Sequence, residues 1–150
     1  MHESNSTLTK PRTLDDWLDY ISALHDKPME LGLERVIKVR DALLQPESGG
    51  NHPVVITVGG TNGKGSTCAM LEAILLASGY RVGLYTSPHL LRYTERVRVQ
   101  GEEISSEAMI EAFRLVEASR RRAGDISLTY FEFGTLAAWQ VFATSNLDVI

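Results

Sequence analysis

A single cysteine, Cys68, stands among 150 residues, so no internal disulfide can form and a disulfide-stapled secreted scaffold is excluded. Long apolar runs are missing as well. The longest, Ala69 to Gly79, is broken by Glu72 and falls far short of the ~20 residues that cross a bilayer. There is no excess of positive charge: 15 Lys+Arg against 19 Asp+Glu leave −4 at pH 7, which removes the general electrostatic reason to bind nucleic acid. The polar opening Met1-His2-Glu3-Ser4-Asn5-Ser6-Thr7 has no apolar core behind it and does not read as a signal peptide. What is left, 43% hydrophobic and 23% charged, is a globular composition without repeats or low-complexity tracts. A cytoplasmic protein is expected, with no nucleic-acid or membrane partner.

Residues 1–12 read as a flexible leader ending at Lys10-Pro11-Arg12. Thr13 then stands as an N-cap before a helix whose Leu14, Trp17, Leu18 and Ile21 share one face, with Asp15 and Asp16 suited to the positive end of its dipole. A second helix is expected over about Leu33–Leu44, and the turn formers of 46–53 make a loop. The β-branched run Val54-Val55-Ile56-Thr57-Val58 has the signature of a strand covered on both faces. A glycine-rich loop follows, then a helix from about Ser66 to Ser78 that Gly79 would cap, then a strand over Arg81–Tyr85. Residues 54–85 thus form a βαβ unit of the usual ~30 residues. Arg96–Gln100 alternates like a half-exposed strand. Helices are expected over Ser106–Arg122 and about Tyr130–Thr144, and Leu147-Asp148-Val149-Ile150 reads as a third core strand. Arg120-Arg121-Arg122 reads as a solvated basic helix end, and Cys68 as an inert residue on a buried helix.

The loop Gly59-Gly60-Thr61-Asn62-Gly63-Lys64-Gly65-Ser66 lies between strand and helix, where phosphate binding is built. Glycines let backbone N–H groups turn toward an anion, the helix N-terminus adds partial positive charge, and a lysine neutralises phosphate. The strict P-loop pattern asks for Gly at 58 and Ser or Thr at 65, but Val58 and Gly65 stand there; the loop is a variant, its hydroxyls at Ser66 and Thr67 one position late. Ligands of a doubly wound sheet gather at the carboxyl ends of the strands, so residues 60–67, 86–89 and 129–132 are expected to converge at one edge.

Taken together, Gly60–Ser66, Tyr85-Thr86-Ser87-Pro88-His89-Leu90, Arg92-Tyr93-Thr94-Glu95-Arg96, Leu128-Thr129-Tyr130-Phe131-Glu132, Leu24-His25 and Leu31–Val36 resemble the folylpolyglutamate synthase family, most closely its bacterial branch with dihydrofolate synthase activity. The resemblance runs from about Leu14 to the end. It implies an α/β fold: a P-loop-type three-layer α/β/α ATPase domain with a mainly parallel sheet, of the Mur ligase superfamily. It also implies an ATP-dependent amide ligase that joins L-glutamate to dihydropteroate or to reduced folates through an acyl phosphate. Carried over residue by residue, Thr61, Asn62, Gly63, Lys64, Gly65 and Ser66 would hold ATP, with Lys64 as the catalytic cation, and Ser87 would ligate Mg²⁺; K⁺ is a further candidate cofactor. Ala23, Leu24, His25 and Asp26, with Thr129, Tyr130, Phe131 and Glu132, would contact the pterin or folate. Read without the resemblance, Thr129-x-x-Glu132 is a capping box, Phe131 a core residue, His25 a helix-end histidine and Ser87 a turn residue.

The family's further metal ligands and its C-terminal glutamate-binding domain are not found in 13–150, so these residues are expected to be the N-terminal part of the ATP-binding domain of a monomeric enzyme. Such a piece is expected not to complete ligation alone, and to expose Leu147–Ile150 as a sheet edge. Two other readings stay open: another Mur-type amino-acid ligase, which would share the first loop, and a non-catalytic nucleotide-binding module. A small phosphotransferase complete at this length is disfavoured, because neither Gly83-Leu84-Tyr85 nor Leu147–Ile150 delivers an acidic metal ligand in the usual place.

Overall fold

A computed structural model of the chain describes residues 11–27, 30–43 and 53–150. The leader up to residue 10 and nearly all of the 46–53 loop lie outside the described residues. Helix α1 (Leu14–Ser22) starts where its cap is: Thr13 Oγ1 accepts from the Asp16 N–H at 3.1 Å, and Asp16 accepts from the Thr13 N–H at 2.9 Å. This reciprocal box satisfies two first-turn donors, and such caps are worth ~1 kcal/mol. Helices α2 (Glu34–Leu43), α4 (Ser106–Arg122) and α5 (Tyr130–Ala143) fall within a residue or so of their expected spans. Together with α1 they form a helical layer, burying Trp17 and Ile21, Val39, Phe113 and Val116, and Phe133 and Leu136 against one another. Phe113 and Phe133 meet edge to face at 5.6 Å, a favoured aromatic geometry.

The regular sheet has the order β1 (Gly83–Tyr85), β2 (Val97–Val99), β3 (Glu102–Glu103), and both of its ladders are antiparallel. Of the mainly parallel sheet expected from the sequence, only isolated parallel bridges are formed among the described residues. These bridges run from Val149 to Val54 on one side and to Val82 on the other. The Val54 N–H donates to Asp148 O at 2.9 Å, the Ile56 N–H to Ile150 O at 2.8 Å and the Gly83 N–H to Val149 O at 2.9 Å. The β2–β3 ladder has a local cause. Gln100 and Gly101 both take positive φ, 54° and 81°, between Val99 and its partner Glu102. That is the conformation of a two-residue hairpin turn, and it closes β2 on β3 without a crossover.

Two further expectations are corrected. Val54, Val55 and Ile56 are 62%, 54% and 43% exposed rather than covered on both faces. The run pairs only on its Val149 side among the described residues. Helix α3 (Lys64–Ala77) begins two residues before Ser66 and buries Glu72 alone, leaving Met70 and Ile74 exposed and Cys68 half-buried. The apolar composition of α3 is there, but no described element covers its outer face.

Besides its backbone bonds to Val54, Ile56 and Gly83, an ion pair ties the Leu147–Ile150 run to Arg81. Arg81 donates to the Asp148 carboxylate from its backbone N–H at 2.8 Å, its Nε at 3.0 Å and its Nη2 at 2.6 Å, while the Arg81 carbonyl accepts from the Asp148 N–H at 2.8 Å. The guanidinium bonds and the backbone N–H hold the Asp148 carboxyl down to about 2, below its ordinary 3.8. A folded-state value below the unfolded one stabilises the fold above the unfolded value, and that stabilisation is lost as pH falls from about 4 toward 2. Urea unfolding across that window should show the decline, and Asp148→Asn should flatten it.

Gly83 sits where β1 passes the end of α5. A Cβ there would lie 2.5 Å from Leu147 Cδ1 and 2.9 Å from the Phe142 ring, both buried. Gly83→Ala is expected to destabilise by about 1–3 kcal/mol through overpacking, read as a lowered urea midpoint at unchanged slope.

Candidate functional site

The glycine loop leads from the Val54 run into α3. Gly63 is the N-cap of α3 with φ 79°, a left-handed conformation that a side chain would strain. No side chain caps this end, so the first N–H groups of α3 are left for an external acceptor. Lys64 Nζ donates to Gly60 O at 2.6 Å and approaches Thr61 O at 3.5 Å, folding the ammonium over its own exposed loop.

A cleft of about 470 Å³ opens beside this loop. Lys64 and Gly65 line it from α3, Thr86 and Ser87 from the end of β1, and Phe131, Thr135 and Trp139 from α5. Residues from all three expected segments thus share one cleft although they are far apart in sequence. The Phe131 ring is exposed and lies 6.2 Å from that of Tyr85, whose hydroxyl bonds Thr135 Oγ1 at 3.2 Å. Thr61, Asn62 and Gly63, on the exposed loop, and Ser66, in the first turn of α3, lie outside the cleft lining.

The other expected acceptor residues are held in a network of their own. Thr129 and Glu132 are buried and form a capping box on α5: the Thr129 N–H donates to Glu132 Oε2 at 2.8 Å, and Thr129 Oγ1 accepts from the Glu132 N–H at 3.2 Å. Arg35 Nη2 donates to Glu132 Oε1 at 2.8 Å and to Glu30 O at 3.1 Å. Glu30 in turn accepts from His25 Nε2 at 2.7 Å, and His25 Nδ1 lies 2.7 Å from Ser127 Oγ, which donates to Leu24 O at 2.9 Å. The hydrogen bond from His25 and the charge of Arg35 hold the Glu30 carboxyl below its ordinary range, and the bond to Glu132 raises Arg35. The segment Ala23–Asp26 is thereby tied to the start of α5. Sequence reasoning gave Glu30, Arg35 and Ser127 no role; Arg35 and Glu132 are 97 positions apart, beyond any local pattern.

Tyr130 packs edge-on to Tyr93 at 5.8 Å, and its phenol is raised by burial. Ser87 is exposed at the cleft. Among the described residues no three His, Cys, Asp or Glu side chains gather as a metal site, and no helix is long and apolar enough to cross a membrane.

The fold and site define an α/β protein with a glycine-lysine loop at the head of a helix, opening on a cleft with an aromatic wall. No protein-family model matches the chain. By sequence it is similar to the dihydrofolate synthase/folylpolyglutamate synthases. It is 53% identical over 139 residues to that protein of Escherichia coli, covering 91% of this chain and 31% of the relative. With the Haemophilus influenzae protein it shares 47% over 149 residues, 98% of the chain and 32% of the relative. The chain therefore spans about a third of the length of the curated relatives it matches. Among solved structures it superposes on E. coli FolC in complex with DHPP and ADP with a TM-score of 0.83, at 53% identity over 92% of this chain and 32% of that one. For the Yersinia pestis enzyme complexed with AMPPNP and Mn ion the TM-score is 0.80, at 57% identity and the same coverages.

Proposed function

We propose that this chain is the nucleotide-binding portion of an ATP-dependent carboxylate–amine ligase that adds L-glutamate to dihydropteroate and to tetrahydrofolate. The observation that carries the reading is the shared cleft, where a loop lysine, a loop serine and an exposed aromatic ring face one space. The parallel pairing through Val149 supports a P-loop-type arrangement, with α3 crossing between the Val54 and Val82 runs. Relatives solved with ADP, AMPPNP and Mn support a nucleotide and a divalent ion at such a site.

A carboxylate is a poor electrophile at neutral pH, and phosphorylation gives it a leaving group. The acceptor's carboxylate oxygen attacks the γ-phosphorus of ATP, the bond to the bridging oxygen breaks, and ADP leaves. The amine of glutamate then attacks the acyl carbon, phosphate leaves, and the amine proton goes to solvent. This chain supplies position and charge. The loop N–H groups and the start of α3 cradle the phosphates. Lys64 exchanges its bond to Gly60 O for phosphate oxygens, and Phe131 gives the flat acceptor an apolar wall. The Arg35–Glu132 and His25–Glu30 pairs fix the distance between the 23–26 loop and α5. Ser87 offers a neutral hard oxygen at the cleft, a fitting single protein ligand for Mg²⁺, which usually completes its shell with phosphates and waters. When bound, Mg²⁺ supplies neutralising charge to those phosphates; K⁺ is a further proposed cation. We read the protein as a cytoplasmic monomer.

The test is Mg²⁺-dependent ATP turnover by the protein expressed from its complete gene, with L-glutamate and either dihydropteroate or tetrahydrofolate. Glutamylated product is expected with at least one acceptor. Intact ATP binding with no product from either would overturn the reading.

A further inference from the structure

Arg96 closes the single 3-10 turn Tyr93–Arg96 and is only 8% exposed, yet it makes no ion pair with any described residue. Buried cations are ordinarily paired, because desolvating one without a partner is costly. The nearest acid in sequence, Glu95, is already engaged, accepting from the N–H groups of Leu90 at 2.7 Å, Leu91 at 3.0 Å and Arg92 at 2.7 Å. The Arg96 guanidinium carbon instead lies 5.0 Å from the centroid of Tyr93 and 5.7 Å from that of Tyr130. Two ring faces stabilise the charge but accept none of its in-plane hydrogen bonds.

Among the described residues only one of the guanidinium's five N–H donors is used: Nε donates to His89 Nδ1 at 2.9 Å. Neither terminal nitrogen has a protein partner among the described residues. The same bond makes Nδ1 the acceptor of a neutral His89 ring, leaving Nε2 to carry the proton as one more donor. The cluster adjoins the cleft without lining it: the Arg96 carbonyl accepts from the N–H of Thr86 at 2.9 Å, and Tyr130 directly precedes Phe131, both Thr86 and Phe131 being lining residues.

We propose that Arg96 is the oxyanion-recognising residue at the acceptor end of this cleft, its free guanidinium edge taking the acceptor's carboxylate with His89 Nε2–H beside it. The proposal rests on the acceptor reading of the cleft given above. A planar fork held between two rings matches a carboxylate in two bonds, and a neutral amide in the same place offers one acceptor atom and no charge.

Equilibrium binding of pteroate and of its carboxamide, to the protein expressed from its complete gene, separates the possibilities. Wild type should prefer the carboxylate by about tenfold to a hundredfold. Arg96→Gln should bring that ratio close to one while ADP affinity stays unchanged. Arg96→Lys keeps the cation without the fork; it should fall between the two, and it serves if Arg96→Gln does not fold. A ratio near one in wild type, a ratio preserved in either variant, or a loss of ADP rather than pteroate affinity overturns the proposal and leaves the acceptor reading standing. Failure of wild type to bind pteroate at all removes the acceptor reading, and this proposal with it.

Discussion

Lys64→Ala is expected to lower ligation by at least about a hundredfold in kcat/KM, while folding is left intact. A charge aimed at phosphoryl oxygens acts where negative charge develops in the transition state, and removing one such donor typically costs about 10²–10³ in rate. The structure separates this loss from a folding defect. Lys64 is exposed, and among the described residues its side chain bonds only Gly60 O and Thr61 O of its own loop. Truncation therefore empties no core and orphans no buried group, so stability should change by no more than about 0.5 kcal/mol. Steady-state product formation beside a urea melt checks both halves. Activity within threefold of wild type would remove Lys64 from the phosphate site. Lys64→Arg should not rescue, because a wide planar fork does not replace a compact ammonium within so short a loop.

The local chemistry of the fold was legible from single residues. Thr13 and Thr129 announced their helices because an N-cap and its acid three residues on lie in one short window. The convergence of Lys64, Ser87 and Phe131 was legible too, since it follows from which strand ends precede which loops. What was not legible depended on partners distant in sequence. Val54–Val58 has the composition of a doubly covered strand, but composition does not say whether a neighbour lies on each side, and here one side is open among the described residues. Glu132 could be read as a cap, whereas its second bond, to Arg35, needs the fold itself. The same holds for Arg96, which in sequence is one more charge in a polar stretch and in space lies between two tyrosines.

The triplet Arg120-Arg121-Arg122 is the sharpest correction and leads to the second large effect. All three read as solvated, and Arg121 and Arg122 are exposed, but Arg120 is 5% exposed. Its Nε and Nη2 donate to Glu117 at 2.8 Å each, and its Nη1 donates to Asp125 Oδ1 at 2.7 Å and to Ile126 O at 3.1 Å. Glu117 also accepts from Tyr20 Oη at 2.7 Å and from Arg121 Nε at 2.5 Å, so this cluster pins α1 to α4. Burial pushes the Glu117 carboxyl up, but the bonds from Arg120, Tyr20 and Arg121 outweigh it and hold the group below its ordinary range. Removing one member of such a buried pair strands the other, which typically costs about 3–5 kcal/mol, whereas replacing both with apolar groups of similar volume is often close to neutral. Glu117→Ala should therefore lower the unfolding free energy by about 3–5 kcal/mol, and Glu117→Leu with Arg120→Met by clearly less than the single change. Urea unfolding of the three proteins gives the comparison. A single variant within 1 kcal/mol of wild type would show that Arg120 is supported without Glu117, through Asp125, Ile126 O and the Tyr20 hydroxyl, and would overturn the assignment of Glu117 as the pin between α1 and α4.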